Sequence, residues 1–339
     1  MLTAVLDDDR HRSAQVYATV AGTVAIDVAV VDGIAESTRR RELFPLLSAA
    51  KPILAATALT VCRDAGLALE HPLVATIPEL DGQGRERIRL RDVLTHQTGF
   101  PPMSTRPEPV AASWRDAFER AVEVPPGERI EPGTEACYQE WRYWCLLGEL
   151  ISRITGRPVP DVVRSDILQP LGLDSEIVLG PQTPDAQIHR GDPQRGWRGG
   201  VTTYGSIRAI AGFLAALPGG PDFQPDGVFR GLPKIAAAWR TGLPDRYFSH
   251  VRDWGLGVML ESTRWGRRSL VFSGLASPHA YGHVARTAIA AFVDPVHRVT
   301  GGVYGSGDLD SVQTRYFLRS ACTAIYRHAT QDGRARTSR

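Results

Sequence analysis

The chain has 339 residues, 43% of them hydrophobic, and a formal net charge of +2. That length supports one large domain or two smaller ones with a real core, and the near-neutral balance lacks the basic footprint of a nucleic-acid binder. Arginine runs such as Arg39-Arg40-Arg41 and Arg267-Arg268 are short and scattered, and read as solvated surface. No run of about 18 apolar residues occurs, so no membrane span is expected. Asp7-Asp8-Asp9 stand near the N-terminus in place of a basic-then-apolar signal segment, which points to a cytoplasmic protein. Cys62, Cys137, Cys145 and Cys322 show neither Cys-x-x-Cys nor Cys/His metal spacing and read as buried thiols.

Residues 15–22 and 24–31, rich in Val, Ala, Ile and Thr and split by Gly22, predict a strand hairpin. The apolar run Pro52–Cys62 predicts a buried helix that ends at Gly66. Periodicity is lost over 67–80. Arg89–Thr95 predicts a short helix ending in the turn Thr95-His96-Gln97-Thr98-Gly99, and the prolines in 101–110 and 124–134 predict loops. Helices are expected over Trp141–Ile154 and 159–168, a polar loop over 180–198, and a helix over Ser206–Leu217. Residues 254–261, 269–274, 279–293 and 299–304 suggest an antiparallel meander, Arg315–His328 a closing helix, and 330–339 a low-complexity tail. Strands lie at both ends and helices fill the middle. The order fits an α+β fold, an α/β sandwich in which an antiparallel sheet is flanked by helices and interrupted by an inserted, mostly helical domain. The expected division is 1–66 with 199–339 as the sheet domain and 67–198 as the insert.

Three features carry chemistry. Ser48 and Lys51 lie three residues apart at the head of the apolar helix, so their side chains can meet. A serine is a weak nucleophile until something takes its proton, and a lysine partly desolvated by the helix can do that. Lys51 and Lys234 are the only lysines in the chain. Tyr138-Gln139-Glu140 follows, just before the helix at 141. His283-Val284-Ala285 lies in the last strand-rich block.

With these motifs the chain resembles the serine β-lactamase and penicillin-binding-protein superfamily, nearest the branch of class C β-lactamases, D-alanyl carboxypeptidases and related esterases and acyltransferases. That branch uses Ser-x-x-Lys, Tyr-x-Asn and Lys-Thr-Gly or His-x-Gly. Arg91–Gly99 resembles its Thr-His-x-Ser/Thr-Gly turn. Pro132-Gly133-Thr134 and Tyr143-x-x-Leu146-Leu147-Gly148 resemble the surroundings of its tyrosine. Gly199-Gly200-Val201 matches the loop returning to the sheet, and Gly282-His283 with Phe292-Val293-Asp294-Pro295 matches its third motif and hairpin.

The resemblance implies a Ser48 acyl-enzyme, with Lys51 and Tyr138 sharing the serine's proton. The oxyanion donors would be the backbone N–H groups of Ser48, in the first turn of its helix, and of Arg286. A cation beside Tyr138 favours its anion. Glu140, His283, Ala285 and Arg286 form the expected substrate-binding and oxyanion region. Three of these depart from the family pattern. Glu140 replaces the asparagine: ionised, it only accepts hydrogen bonds and favours a protonated Lys51 against the opposing effect of burial, and where it prevails Lys51 is an electrostatic partner and Tyr138 the base; protonated, it donates as the amide does. As an acid at the start of the 141–154 helix it also suits the helix dipole. Ala285 replaces a glycine, and its methyl narrows the strand edge. Arg286 stands where small residues are usual, with a guanidinium able to pair with a carboxylate or phosphate.

These departures argue against an ordinary β-lactam substrate. The expectation is a serine acyl hydrolase acting on a small-molecule ester or amide. One alternative is a biosynthetic transacylase passing the acyl group to an amine or alcohol; another is a degenerate binding protein. No metal or organic cofactor, no nucleic acid and no membrane partner is implied, and the oligomeric state is not legible. His96 reads as locking its turn, Trp141, Tyr143 and Trp144 as a packing face, and Trp254 and Trp265 as candidates for the site mouth.

Overall fold

The computed structural model describes residues 13–31, 34–102, 114–180, 203–235, 242–286, 288–306 and 311–337. The N-terminal acids, most of the proline-rich 101–110 stretch and of the expected 180–198 loop, and Gly199-Gly200-Val201 lie outside the described residues. Strands β1 (Ser13–Val20) and β2 (Thr23–Val31) form the expected hairpin, turning through Ala21 and Gly22 at positive φ. Strand β3 (Ile34–Ala35) adds to β2, and β4 (Phe44–Pro45) leads into a 3-10 turn, Leu47–Ala50, that feeds helix α1 (Lys51–Asp64). Every α1 residue from Lys51 to Cys62 is buried. A helix enclosed on all sides needs no polar face, which is why its apolar run shows little periodicity.

Helices α2 (Leu90–Leu94), α3 (Trp114–Val122), α4 (Trp141–Thr155) and α5 (Val159–Val162) follow, the last continuing as a π-helical segment to Leu168. The amphipathic α3 was not anticipated; it buries Phe118, Ala121 and Val122. Next come β5 (Ile177–Leu179), β6 (Thr203–Gly205), α6 (Ile207–Ala216), β7 (Pro244–Asp245), β8 (His250–Val251) and β9 (Met259–Leu260). The chain then runs through β10 (Tyr281–Ala285), β11 (Ile289–Asp294), β12 (Val299–Ser306) and α7 (Ser311–Thr337). The last helix is longer than Arg315–His328 and takes in most of the expected tail.

Among the described residues the main sheet has seven strands in the order β3-β2-β1-β12-β11-β10-β9, all antiparallel. Side chains alternate across it. A Cβ on Gly302 would meet Ile207 of α6, and one on the adjacent Gly301 would meet Ile325 of α7, so the two helices cover opposite faces. Among the described residues, β4-β6-β5 and β7-β8 form two smaller sheets. The expected strands need correction at one end. Only Met259–Leu260 of 254–261 forms a strand, and 269–274 forms none. The backbone N–H groups of Val271, Phe272 and Ser273 donate to the buried Glu261 carboxylate, which removes them from any ladder. Residues 279–293 divide into β10 and β11 around a hairpin turn. Among the described residues no helix is long and apolar enough to cross a membrane.

Candidate active site

Ser48 sits in the 3-10 turn ahead of α1, one turn upstream of the helical first turn expected from sequence. Leu47 beside it has φ 46°, a left-handed conformation that a bulky residue adopts only when its surroundings impose it. Tyr138 Oη donates to Ser48 Oγ at 2.7 Å, and Lys51 Nζ donates to the same oxygen at 3.2 Å. The hydroxyl, phenol and ammonium therefore converge. Lys51 is 1% exposed. Its Nζ lies 4.9, 5.8 and 5.1 Å from the ring centroids of Tyr138, Tyr143 and Trp144. Tyr143 and Trp144 thus do more than pack: their π faces support the buried cation.

Two contacts that the sequence did not reveal hold Tyr138. The buried Asp245 accepts from the backbone N–H groups of Tyr138, Tyr247 and Phe248 through Oδ1 and from Trp254 Nε1 through Oδ2. On the other side, Cys137 N donates to the His96 carbonyl at 2.8 Å and Gln139 N to His96 Nδ1 at 3.2 Å. His96 has φ 56° and closes its turn while clamping the tyrosine segment. Trp254 is fully buried, its ring stacked on Tyr138 at 5.4 Å with planes 6° apart. It is the floor beneath Tyr138, not the mouth of the site, and Trp265 does not line the cavity either. In sequence Asp245 reads as an ordinary turn former; nothing local ties it to a tyrosine 107 residues away.

Burial pushes the Tyr138 phenol well above its ordinary value, and the Glu140 charge adds to this, while the bond to Ser48 opposes it. Desolvation thus outweighs the expected pull of a neighbouring cation, so Tyr138 rests as a neutral donor. Glu140 occupies the N-cap position of α4 but makes no capping bond there. Its Oε1 accepts instead from Tyr247 Oη at 3.1 Å.

His283 is buried on β10. Burial, and secondarily Lys51, lowers its pKa to about 3, which keeps the ring neutral. Nδ1 donates to the Val284 carbonyl at 2.8 Å, leaving Nε2 as the bare acceptor; that atom is buried without a hydrogen-bond partner among the described residues. Ala285 closes β10 opposite Ile289, and the exposed Arg286 begins the β10–β11 turn. Both line a cavity of about 640 Å³ whose wall includes Ser48, Tyr138 and Glu140. Lys51 and His283 lie behind that wall. The four cysteines are free and buried, with the thiols of Cys62 and Cys137 raised by burial to about 12. Among the described residues no group of three or more His, Cys, Asp or Glu side chains is placed to hold a metal ion.

Comparison with known proteins agrees with this architecture. A protein of Escherichia coli (strain K12) named D-alanyl-D-alanine carboxypeptidase is 25% identical over 260 residues. The match covers 68% of this chain and 59% of that protein, so the chain spans about three fifths of its relative. EstA from Arthrobacter nitroguajacolicus Rue61a shares the fold with a TM-score of 0.71 at 21% identity, covering 97% of this chain and 94% of its own. EstCE1, described as a hydrolase with promiscuous acyltransferase activity, superposes with a TM-score of 0.72 at 16% identity, over 96% of this chain and 97% of its own. The sequence matches the family described as Beta-lactamase over residues 1–319. The chain belongs to the Beta-lactamase family.

Proposed function

We propose that this chain is a serine acyl hydrolase of esterase or amidase type, working through a Ser48 acyl-enzyme on a specialised substrate other than a β-lactam. The observation that carries this reading is the pair of hydrogen bonds to Ser48 Oγ, from Tyr138 Oη and Lys51 Nζ, at the wall of a cavity. In this mechanism the resting Lys51 ammonium first releases a proton to solvent, and Ser48 Oγ then attacks the substrate carbonyl carbon as its own proton passes to the Lys51 amine. The backbone N–H groups of Ser48 and Arg286 receive the developing oxyanion. Tyr138 gives its phenolic proton to the leaving group and regains one from Lys51. Water then attacks the acyl carbon as Lys51 takes one of its protons, and Ser48 departs with a proton from Tyr138, which Lys51 replaces. The raised pKa of Tyr138 supports its role as proton donor to the leaving group over that of resting phenolate. Glu140, Ala285 and Arg286, all on the cavity wall, are the basis for excluding a β-lactam.

Transfer of the acyl group to an amine or alcohol is a second reading. Its support is a cavity of about 640 Å³, roomy for an acyl group and an acceptor together. Treatment with a fluorophosphonate followed by intact-mass measurement is expected to give one adduct, absent in Ser48→Ala. A folded wild-type enzyme that never labels would end the acyl-enzyme account. Product partitioning with a saturating amine separates the two readings: pure hydrolysis removes the second.

A further inference from the structure

The cavity beside Ser48 is lined by five arginines, Arg252, Arg268, Arg286, Arg315 and Arg319, and by one carboxylate, Glu140. They converge from separate parts of the chain: the segment after β8, the 3-10 turn Arg267–Ser269, the β10–β11 turn and helix α7. Elsewhere arginines are matched with acids, as Arg153 is with Glu79 and Glu149 and Arg264 with Asp253. Among the described residues no carboxylate stands within ion-pair distance of Arg268, Arg286, Arg315 or Arg319. The acids nearby are committed elsewhere. Asp245 holds four donors around Tyr138. Glu261 holds the backbone of Ser262, Thr263, Val271, Phe272 and Ser273. Glu140 takes the Tyr247 hydroxyl.

The cluster also works against itself. Arg315 and Arg319 are spaced i,i+4 on α7, a repulsive arrangement for like charges. Arg319 is depressed first by burial and then by Arg315. Arg252 is depressed to about 10, chiefly by burial; the Asp245 and Glu261 charges oppose the shift and Arg319 adds a smaller push in the same direction as burial. Such a group is stabilised by an anion from outside. One carboxylate satisfies one guanidinium in a bidentate pair, whereas a phosphoryl group presents three oxygens and close to two charges, enough for several arginines. Apolar side chains, among them Phe248, Met259, Leu270, Val271 and Val284, line the same cavity and offer surface for an acyl chain or linker.

We propose that the substrate carries a phosphoryl group, as a phosphate monoester or a diphosphate, bound by Arg268, Arg286, Arg315 and Arg319 while Ser48 attacks its carbonyl. This assignment of substrate class rests on the Ser48 acyl-enzyme reading.

The test uses the full-length protein and three p-nitrophenyl esters of one acyl chain, ending in a methyl group, a carboxylate or a phosphate monoester. A charge-assisted hydrogen bond lost is expected to cost roughly 10- to 100-fold. The phosphate ester should exceed the methyl ester in kcat/KM by at least that factor and exceed the carboxylate ester as well. Arg315→Ala and Arg268→Ala, both exposed positions, should each shrink the phosphate-to-methyl ratio by about tenfold. Equal kcat/KM for phosphate and methyl esters, or for phosphate and carboxylate esters, would overturn the proposal. Fluorophosphonate labelling of Ser48 and calorimetry with inorganic pyrophosphate run in parallel. Pyrophosphate binding that Arg315→Ala abolishes supports the anion site even where Ser48 fails to label, and absence of binding by a protein that labels refutes the site alone.

Discussion

At the scale of single residues, the site depends on where two protons reside. Tyr138 Oη and Lys51 Nζ both point at Ser48 Oγ, and burial holds the phenol protonated. Tyr138→Phe keeps the ring on Trp254 and removes only the donor. It is expected to lower kcat/KM by roughly 10²–10⁴, the usual worth of a general acid. The stability loss should be about 1 kcal/mol, the net worth of one hydrogen bond. Ester turnover and urea denaturation measure the two effects, and near-wild-type turnover would remove Tyr138 from the mechanism. Glu140 tests a different distinction. A helix cap costs about 1 kcal/mol when lost, but this carboxylate makes no capping bond. Glu140→Gln, which can still accept from Tyr247, should stay within about 0.5 kcal/mol of wild type. A drop near the capping value in urea titration would assign Glu140 to the helix.

At the scale of elements, the reactive groups come from pieces that meet only in the folded chain. Ser48 belongs to the turn ahead of α1, Tyr138 to the loop before α4, and Asp245 to the end of β7. The loop is pinned by parallel bridging of Ala136 with Asp245 and by a bond from Arg246 N to the Ala136 carbonyl. Asp245→Ala leaves three N–H groups and an indole without their acceptor. The expected cost is about 3 kcal/mol or more, since buried donors left unsatisfied cost about 1–3 kcal/mol each and some regain water. Tyr138 should lose its register as well, so acylation should slow even at temperatures where the variant is folded. Thermal unfolding together with fluorophosphonate labelling rate checks this. Unchanged labelling in a destabilised protein would make Asp245 purely structural.

At the scale of the whole molecule, acid sensitivity follows from two buried neutral histidines. His283 titrates near 3 in the fold, and His96 is held well below its ordinary value, both mainly by burial and then by Lys51. Their unfolded value is about 6.5. The folded pKa values are the lower ones, so between the two the unfolded chain binds more protons and stability rises with pH. The contribution is complete above about pH 6.5 and is lost as pH falls toward 3. From pH 7 to pH 5, His283 alone should cost about 2 kcal/mol. His283→Gln should flatten the pH dependence by that amount in urea denaturation, and a wild type equally stable at both pH values would contradict the assignment.

The sequence by itself determined the hairpin at the N-terminus, the buried α1, the helices at 141 and 207, and the meeting of Lys51 with Ser48, whereas Tyr138 was placed with them by family resemblance. Each feature so determined rests on local chemistry: a strand pattern broken by Gly22, an enclosed apolar run, or residue types at i and i+3. The 269–274 segment escaped such reading because a distant carboxylate, Glu261, captures its backbone donors. Trp254 escaped because an indole's burial depends on what stacks upon it. Only the tertiary structure decided that Asp245 supports Tyr138, that Glu140 turns to Tyr247 in preference to capping its helix, and that five dispersed arginines share one cavity. Long-range packing sets desolvation and the sum of distant charges, and neither quantity is carried by the neighbours of a residue along the chain.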